Sequence, residues 1–454
     1  MSLTRKIAEG TAIYTVGNFL NNLLGFITVF FLIKALGKFE YGLLTLSLSV
    51  FAIVTIFLDL GSLTLIPSEI ARYKNVNPKI AKSIIKGFST IQILLGIAIS
   101  LMIFIVGFLI KNNYSKEIIN LLWIISIAVV IKAFYNILSV TFYGFTKFRL
   151  HQSMDILNSL AKCIFAFLLF YMGGGVLAAV AIYPISMIVS VGIFLPYFLK
   201  IIRSMPSNCK IRGTIWNIYR EHGKFVIANV PLKRAHTEMP VWIIQYLLGV
   251  EAVAVFSVAS KIVSFMLGLL MPLSKVLFPV FSEISTTNKN KMHTIVNRGI
   301  KYTTMLSIII FIISFISMPL IFKLAFKEYY EAVYLARILL LILLFPPIFN
   351  VVTPYLYGIR GQKYIFYILL YSFFIYFFVF YIFTYIFGLT GSALGRVFDS
   401  MIIAIMQYKV IVNIDPNMRI NIKEIFKIDE YDKNVCKNIY YKFKNIISIF
   451  PRDR

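Results

Sequence analysis

Apolar runs of about 20 residues recur from one end of the chain to the other, separated by short polar stretches. The runs are continuous rather than alternating, which is the patterning of membrane helices and excludes a β-barrel. At ~1.5 Å rise per residue each is long enough to cross a hydrocarbon core of ~30 Å. The pattern predicts twelve spans, near 11–33, 42–66, 87–110, 118–143, 153–172, 176–199, 225–248, 252–281, 302–322, 332–358, 364–387 and 389–408. The longest loop between spans, 200–224, divides them into six and six. The predicted fold is therefore an all-α polytopic membrane protein, with two six-helix lobes around a central cavity. Its expected parts are an N-terminal lobe over 1–199, a cytoplasmic linker over 200–224, a C-terminal lobe over 225–408 and a basic cytoplasmic tail over 409–454. In the tail Ile439, Phe443, Ile446, Ile447 and Phe450 recur at helical spacing. That pattern fits a short amphipathic helix on the membrane surface, and a solvated tail is the alternative.

The halves resemble each other. Leu36-Gly37-Lys38-Phe39-Glu40 after the first span matches Leu248-Gly249-Val250-Glu251 after the seventh. Tyr143-Gly144 ending the fourth matches Tyr357-Gly358 ending the tenth, and Gly175 opening the sixth matches Gly388 opening the twelfth. The matches fall in order at a nearly constant offset. An even number of spans per copy gives both copies the same orientation, hence a pseudo-two-fold along the membrane normal with a cavity between lobes.

Composition agrees: 59% of residues are hydrophobic and 14% charged, against about 25% charged in an ordinary soluble protein. The formal charge of +26 would otherwise raise nucleic acid as a partner, but its placement points elsewhere. The N-terminus, the loops after even-numbered spans and the tail hold 31 of the 45 Lys and Arg residues. The loops after odd-numbered spans hold 6: Lys34, Lys38, Lys111, Lys116, Lys323 and Lys327. Under the positive-inside rule both termini are cytoplasmic, and most of the basic charge is topology with some attraction to membrane lipids; no nucleic acid is expected. Cysteine labelling at Ser115 and Asn208 is expected to report opposite sides of the membrane, and labelling from one side would overturn this topology. The opening MSLTRKIAEG lacks a cleavage site of small residues after a short apolar core, so the first span is read as retained. Cys163, Cys209 and Cys436 have no metal-like spacing, and the four histidines form no ligand pair at helical spacing; no metal or cofactor is expected. No phosphate-cradling P-loop is present, and no enzyme signature competes with transport.

The candidate chemistry lies inside the spans. Pro231-Leu-Lys-Arg-Ala-His-Thr-Glu-Met-Pro240 places Lys233, Arg234, His236 and Glu238 near the bilayer midplane. A lipid-facing charge there costs about 2.5–3.5 kcal/mol even on the lenient insertion scale. The four must face water or one another. Arg234 and Glu238, at i,i+4, can pair on one face as a purely structural cluster, which leaves Lys233 without a partner. Other spans carry Asp59, Lys132, Asp155, Lys162, Lys261, Arg396 and Asp399. Arg396 and Asp399, at i,i+3, can pair structurally. Asn18, Asn21 and Asn22 in the first span read as interhelical hydrogen-bonding groups or polar lining. Lys132, Lys162, Lys233, Arg234, Lys261 and Arg396 outnumber Asp59, Asp155, Glu238 and Asp399 by two. A cavity lined this way favours an anion, and Lys and Arg suit phosphate. Asp59 and Glu238, with Asp399 beside Arg396, are the candidate coupling or ion-pair acids.

Two six-span lobes, Leu36-Gly37-Lys38-Phe39-Glu40-Tyr41-Gly42-Leu43, Asp59-Leu60-Gly61, Glu69-Ile70-Ala71-Arg72 and Tyr143-Gly144-Phe145-Thr146-Lys147-Phe148 together resemble the polysaccharide exporter, or Wzx-type oligosaccharide flippase, family of the MOP superfamily. The resemblance spans about residues 5–408. It implies a multi-pass cell-membrane flippase that moves an undecaprenyl- or dolichyl-phosphate-linked oligosaccharide to the outer leaflet. It also implies a polysaccharide polymerase or glycosyltransferases as partners in surface glycan assembly. The alternative on the same scaffold is a multidrug and toxin extrusion antiporter, whose cationic drugs would call for an acidic cavity. A third class is a non-transporting membrane scaffold whose charges are structural.

Overall fold

A computed structural model describes residues 3–59, 62–206, 224–271, 289–359 and 361–419. The tail reading falls beyond residue 419, and most of the 200–224 linker also lies outside the described residues. Among the described residues the chain is helical throughout, with no strand.

The first group comprises α1 (Leu3–Ala35), α2 (Lys38–Val54), the short α3 (Ile56–Asp59), α4 (Ser62–Tyr73), α5 (Pro78–Ile110), α6 (Lys116–Gly144), α7 (Phe148–Met172) and α8 (Val176–Arg203). The second comprises α9 (Lys224–Leu248), α10 (Val250–Gly268), α11 (Lys289–Ala325), α12 (Ala332–Leu340), α13 (Pro346–Gly358) and α14 (Gln362–Ile414). Helix starts follow local chemistry. The Asn77 side chain accepts the Ile80 N–H ahead of Pro78, and Ser115 does the same for Ile118, satisfying donors that a first turn leaves orphaned.

Nine of these helices are long and apolar enough to cross a membrane, or ten if the α12–α13 pair, bent by 44°, is one span. The hydropathy criterion by itself does not return twelve, for two physical reasons. α9 is diluted by its charged cluster. α14 is counted once although it folds back at Gly388 (φ 59°, ψ −139°). Gly391 packs against the Phe383 carbonyl and Gly395 on Phe380, contacts that one straight helix cannot make. The span read at 42–66 is also interrupted, at Thr55 and again before Ser62. The helices extend past the apolar runs into polar turns, so the run at 302–322 becomes Lys289–Ala325.

All three sequence matches fall at equivalent helix boundaries. Gly37 and Gly249 sit in the α1–α2 and α9–α10 connections, Gly144 and Gly358 end α6 and α13, and Gly175 and Gly388 stand at chain reversals.

Helices of each group pack mainly on one another: α1 on α7, α5 on α6 and α6 on α8 in the first, α9 on α14 and α11 on α13 in the second. The groups meet through α2 against α9 and α10, and α1 against α10. Among the described residues their apolar cores join at one end only. A single cluster there unites Leu32, Leu36 and Tyr41 with Val253, Phe326 and Tyr329. At the opposite end the cores are separate, one around Ile84, Phe88 and Val140 in the first group and one around Val296, Tyr355 and Ile411 in the second. A cleft thus opens between the groups away from the joined end. Closure at that end is tight, since Gly42 packs against the Val250 carbonyl and leaves no room for a Cβ.

Candidate functional site

α9 is continuous through Pro231 and Pro240. Pro240 has no N–H to give the carbonyl of His236, four residues earlier. Arg396 of α14 donates to that carbonyl at 3.2 Å, to the Tyr376 hydroxyl at 3.3 Å, and lies 3.7 Å from Asp399. The expected Arg396–Asp399 pair is therefore present. Arg396 also repairs the proline break, which ties much of its hydrogen-bonding capacity to structure. His236 is buried, its Nδ1 3.1 Å from the Leu232 carbonyl and its Nε2 3.1 Å from Ser372 Oγ and 3.7 Å from Asp399. It belongs to the α9–α14 packing rather than to a polar lining.

The remaining cations meet across the cleft. Lys132 of α6 interacts electrostatically with Asp155, Asp59 and Arg234, the last from the other helix group. Lys162 of α7 interacts with Lys132, Asp155 and, across the cleft, Lys261 of α10. Lys261 in turn interacts with Glu238. Lys132 lies 4.8 Å from the Tyr135 ring centroid and Lys162 5.3 Å from that of Tyr183, placements that favour a cation. Asp155 accepts a hydrogen bond from the Tyr135 hydroxyl and lies 3.5 Å from His151 Nδ1. The cluster holds four cations, Lys132, Lys162, Arg234 and Lys261, and three carboxylates, Asp59, Asp155 and Glu238. No group of three or more metal-ligating side chains is present among the described residues.

Glu238 hydrogen-bonds Ser49 of α2 and interacts with Arg234 and Lys261. The Arg234–Glu238 interaction is thus joined by a link to α2, where Ser49 also receives the Trp242 indole N–H at 3.0 Å. Lys233 and Arg234 are both exposed. In the first span, the Asn18 amide donates to the Tyr14 carbonyl at 2.6 Å, while the Asn22 amide packs against Gly268 of α10.

Next to the cluster lies a cavity of about 380 Å³ between α2, α9, α10 and α14, whose polar wall includes Ser49, Glu238, Ser257, Ser260, Lys261 and Arg396. Ser49, Trp242 and the serines of α10 escaped the charge-based reading. Ser257, Ser260, Lys261 and Ser264 share one face at i, i+3, i+4 and i+7, a spacing that could have placed them there.

The described residues form two groups of apolar helices with a cluster of charges between them. An inward-facing multidrug resistance MATE family transporter of the MOP superfamily superposes with a TM-score of 0.71 at 19% identity, covering 87% of this chain and 95% of the other. MATE in the bent conformation gives 0.64 at 17%, covering 91% and 96%, and an outward-facing MATE family transporter 0.67 at 16%, covering 91% and 97%. At these identities the likeness shows the fold alone. Residues 7–285 match the polysaccharide biosynthesis protein family, and the chain belongs to it. No curated protein matches the chain in sequence.

Proposed function

We propose that the protein is a flippase for a polyprenyl-(di)phosphate-linked oligosaccharide. The observation that carries the reading is the four-cation cluster assembled from both helix groups, Lys132 and Lys162 from one, Arg234 and Lys261 from the other. A phosphate held there touches both lobes at once, so its binding biases how they close on each other. Charge-assisted hydrogen bonds to phosphate strengthen in such a low-dielectric cleft. The excess of positive charge disfavours the cationic drugs that a multidrug antiporter would take. A purely structural role for the cluster is disfavoured because its four cations outnumber its three carboxylates. With both termini cytoplasmic, the joined end faces outward and the cleft opens to the cytoplasm, the state that receives substrate.

Glu238, hydrogen-bonded across to Ser49, and Asp59, beside Lys132, are the acids placed to sense the lobes' separation. In proteoliposomes, flipping of a fluorescent undecaprenyl-diphosphate oligosaccharide is expected for the wild type. Asp59→Asn with Glu238→Gln is expected to remove its dependence on an ion gradient. Absence of flipping by the wild type would defeat the flippase reading, and unchanged gradient dependence in the double variant would remove the coupling role.

A further inference from the structure

The outward face of α14, before its turn at Gly388, carries a stripe of one chemical kind. Tyr367, Tyr371, Phe374, Phe378, Tyr381 and Tyr385 follow one another at steps of 4, 3, 4, 3 and 4 residues. All six are aromatic, and each is between 38% and 73% exposed. The opposite face of the same arm, with Ser372, Tyr376 and Phe380, is buried, and Ser372 and Tyr376 meet His236 of α9. The stripe therefore points away from the rest of the chain. On α5 the exposed face is largely aliphatic, as at Leu94, Ile97, Leu101 and Ile105.

Two features separate this stripe from a face made for lipid. Its repeat averages 3.5 residues, the period of a seam that packs along a second helix in a left-handed supercoil. Its tyrosine hydroxyls have no hydrogen-bond partner among the described residues, and acyl chains supply none. Tyr367 and Tyr385 lie near the ends of the arm, where headgroups satisfy them. Tyr371 and Tyr381 lie deeper, roughly 10–14 Å from the arm's ends at ~1.5 Å per residue. The partner that fits is a second copy of this chain. A two-fold along the membrane normal brings each seam residue against its own equivalent at the same depth, so the seam must be complementary to itself. A tyrosine hydroxyl both donates and accepts, and aromatic rings pack on their like. No Asp, Glu, Lys or Arg occurs from Tyr364 to Gly395 to repel its own copy. The Tyr367 and Tyr371 rings are already stacked, with centroids 6.3 Å apart. The six side chains expose on the order of 650 Å², taking about 200 Å² for a whole aromatic side chain. That approaches the ~800 Å² per partner of a standard protein interface.

We propose that two copies of this chain associate in the membrane through the aromatic stripe of α14, related by a two-fold along the membrane normal. The seam belongs to one helix group, so the other stays free to move, and the proposal is independent of what the protein carries. The test uses the full chain with Cys163, Cys209 and Cys436 replaced by serine. Oxidation in native membranes is expected to link Phe374→Cys chains, and likewise Phe378→Cys chains, into disulfide dimers of twice the mass. Leu101→Cys, on the aliphatic face of α5, is expected to stay monomeric. Subunit counting of fluorescently labelled protein in dilute lipid vesicles is expected to give two copies per particle. Tyr371→Leu, Phe374→Leu, Phe378→Leu and Tyr381→Leu together are expected to give one. Tyr371→Phe with Tyr381→Phe keeps every ring and removes only the deep hydroxyls, which keeps the test valid if the leucine variant folds poorly. That pair is expected to need about tenfold more protein per lipid for the same dimer fraction, the effect of losing two interhelical hydrogen bonds. One copy per particle in the wild type overturns the proposal. So does equal cross-linking at Leu101→Cys, cross-linking of the stripe only to a different polypeptide, or an undiminished dimer in both variants.

Discussion

Lys132→Met and Arg234→Gln, each a neutral side chain of similar size, are expected to slow flipping by about ten- to a hundred-fold, and the double variant to abolish it. Each cation offers charge-assisted hydrogen bonds worth roughly 1.5–3 kcal/mol to a phosphate, and ~1.4 kcal/mol is a factor of ten. The two residues sit on opposite helix groups yet lie within electrostatic reach of each other. Like charges held together raise the energy of the site in the absence of an anion, so a bound phosphate relieves that repulsion as well as gaining contacts. Removing one cation lowers both gains. Lys233, exposed like Arg234, is tested in the same way, and a loss from Lys233→Met as large as that from Arg234→Gln would add it to the phosphate site. Wild-type flipping by the Lys132 and Arg234 variants at equal protein level would remove the phosphate-binding role. A larger loss from Lys233 than from Arg234 would centre the site on Lys233.

The sequence made the membrane class, the helical patterning and the internal repeat legible, because apolar runs and glycine turns are local signals. Gly388 marks a chain reversal by its own conformational demand, whereas Gly37 and Gly175 precede helices in extended backbone. Partner choice among the buried charges was not legible, because it depends on which helices face each other. Arg234 and Glu238 interact as the i,i+4 rule allows, but tertiary packing also offers Glu238 the Ser49 hydroxyl and sets Arg234 within electrostatic reach of Lys132. Arg396 read as a cavity cation, whereas the carbonyl freed by Pro240 claims part of it. That link needed the knowledge that α14 folds back beside α9. The serines of α10 carried a weak signal because single serines in membrane helices are usually satisfied by their own backbone.

Joining Lys38→Cys to Glu331→Cys with a short bifunctional thiol reagent, in a background with Cys163, Cys209 and Cys436 replaced by serine, is expected to stop transport except in the unlinked fraction. Lys38 Nζ lies 2.7 Å from Glu331 Oε1, spanning the two helix groups at their joined end. The ion pair is not what holds that end closed. Its side chains are 34% and 58% exposed, and exposed pairs contribute only ~0.2–1 kcal/mol. Closure comes from the shared apolar core, with the Tyr41 and Tyr329 rings edge to face at 6.3 Å and Gly42 against the Val250 backbone. Lys38→Ala by itself is therefore expected to change transport little. A substrate taken up through the cleft can leave on the other side only if this core parts, and a covalent tie forbids that. Binding to the cross-linked protein is expected to survive, because the cation cluster lies on the open side. Transport at the wild-type rate after complete cross-linking would show that this end stays shut throughout the cycle, and alternating access between the two helix groups would have to be abandoned.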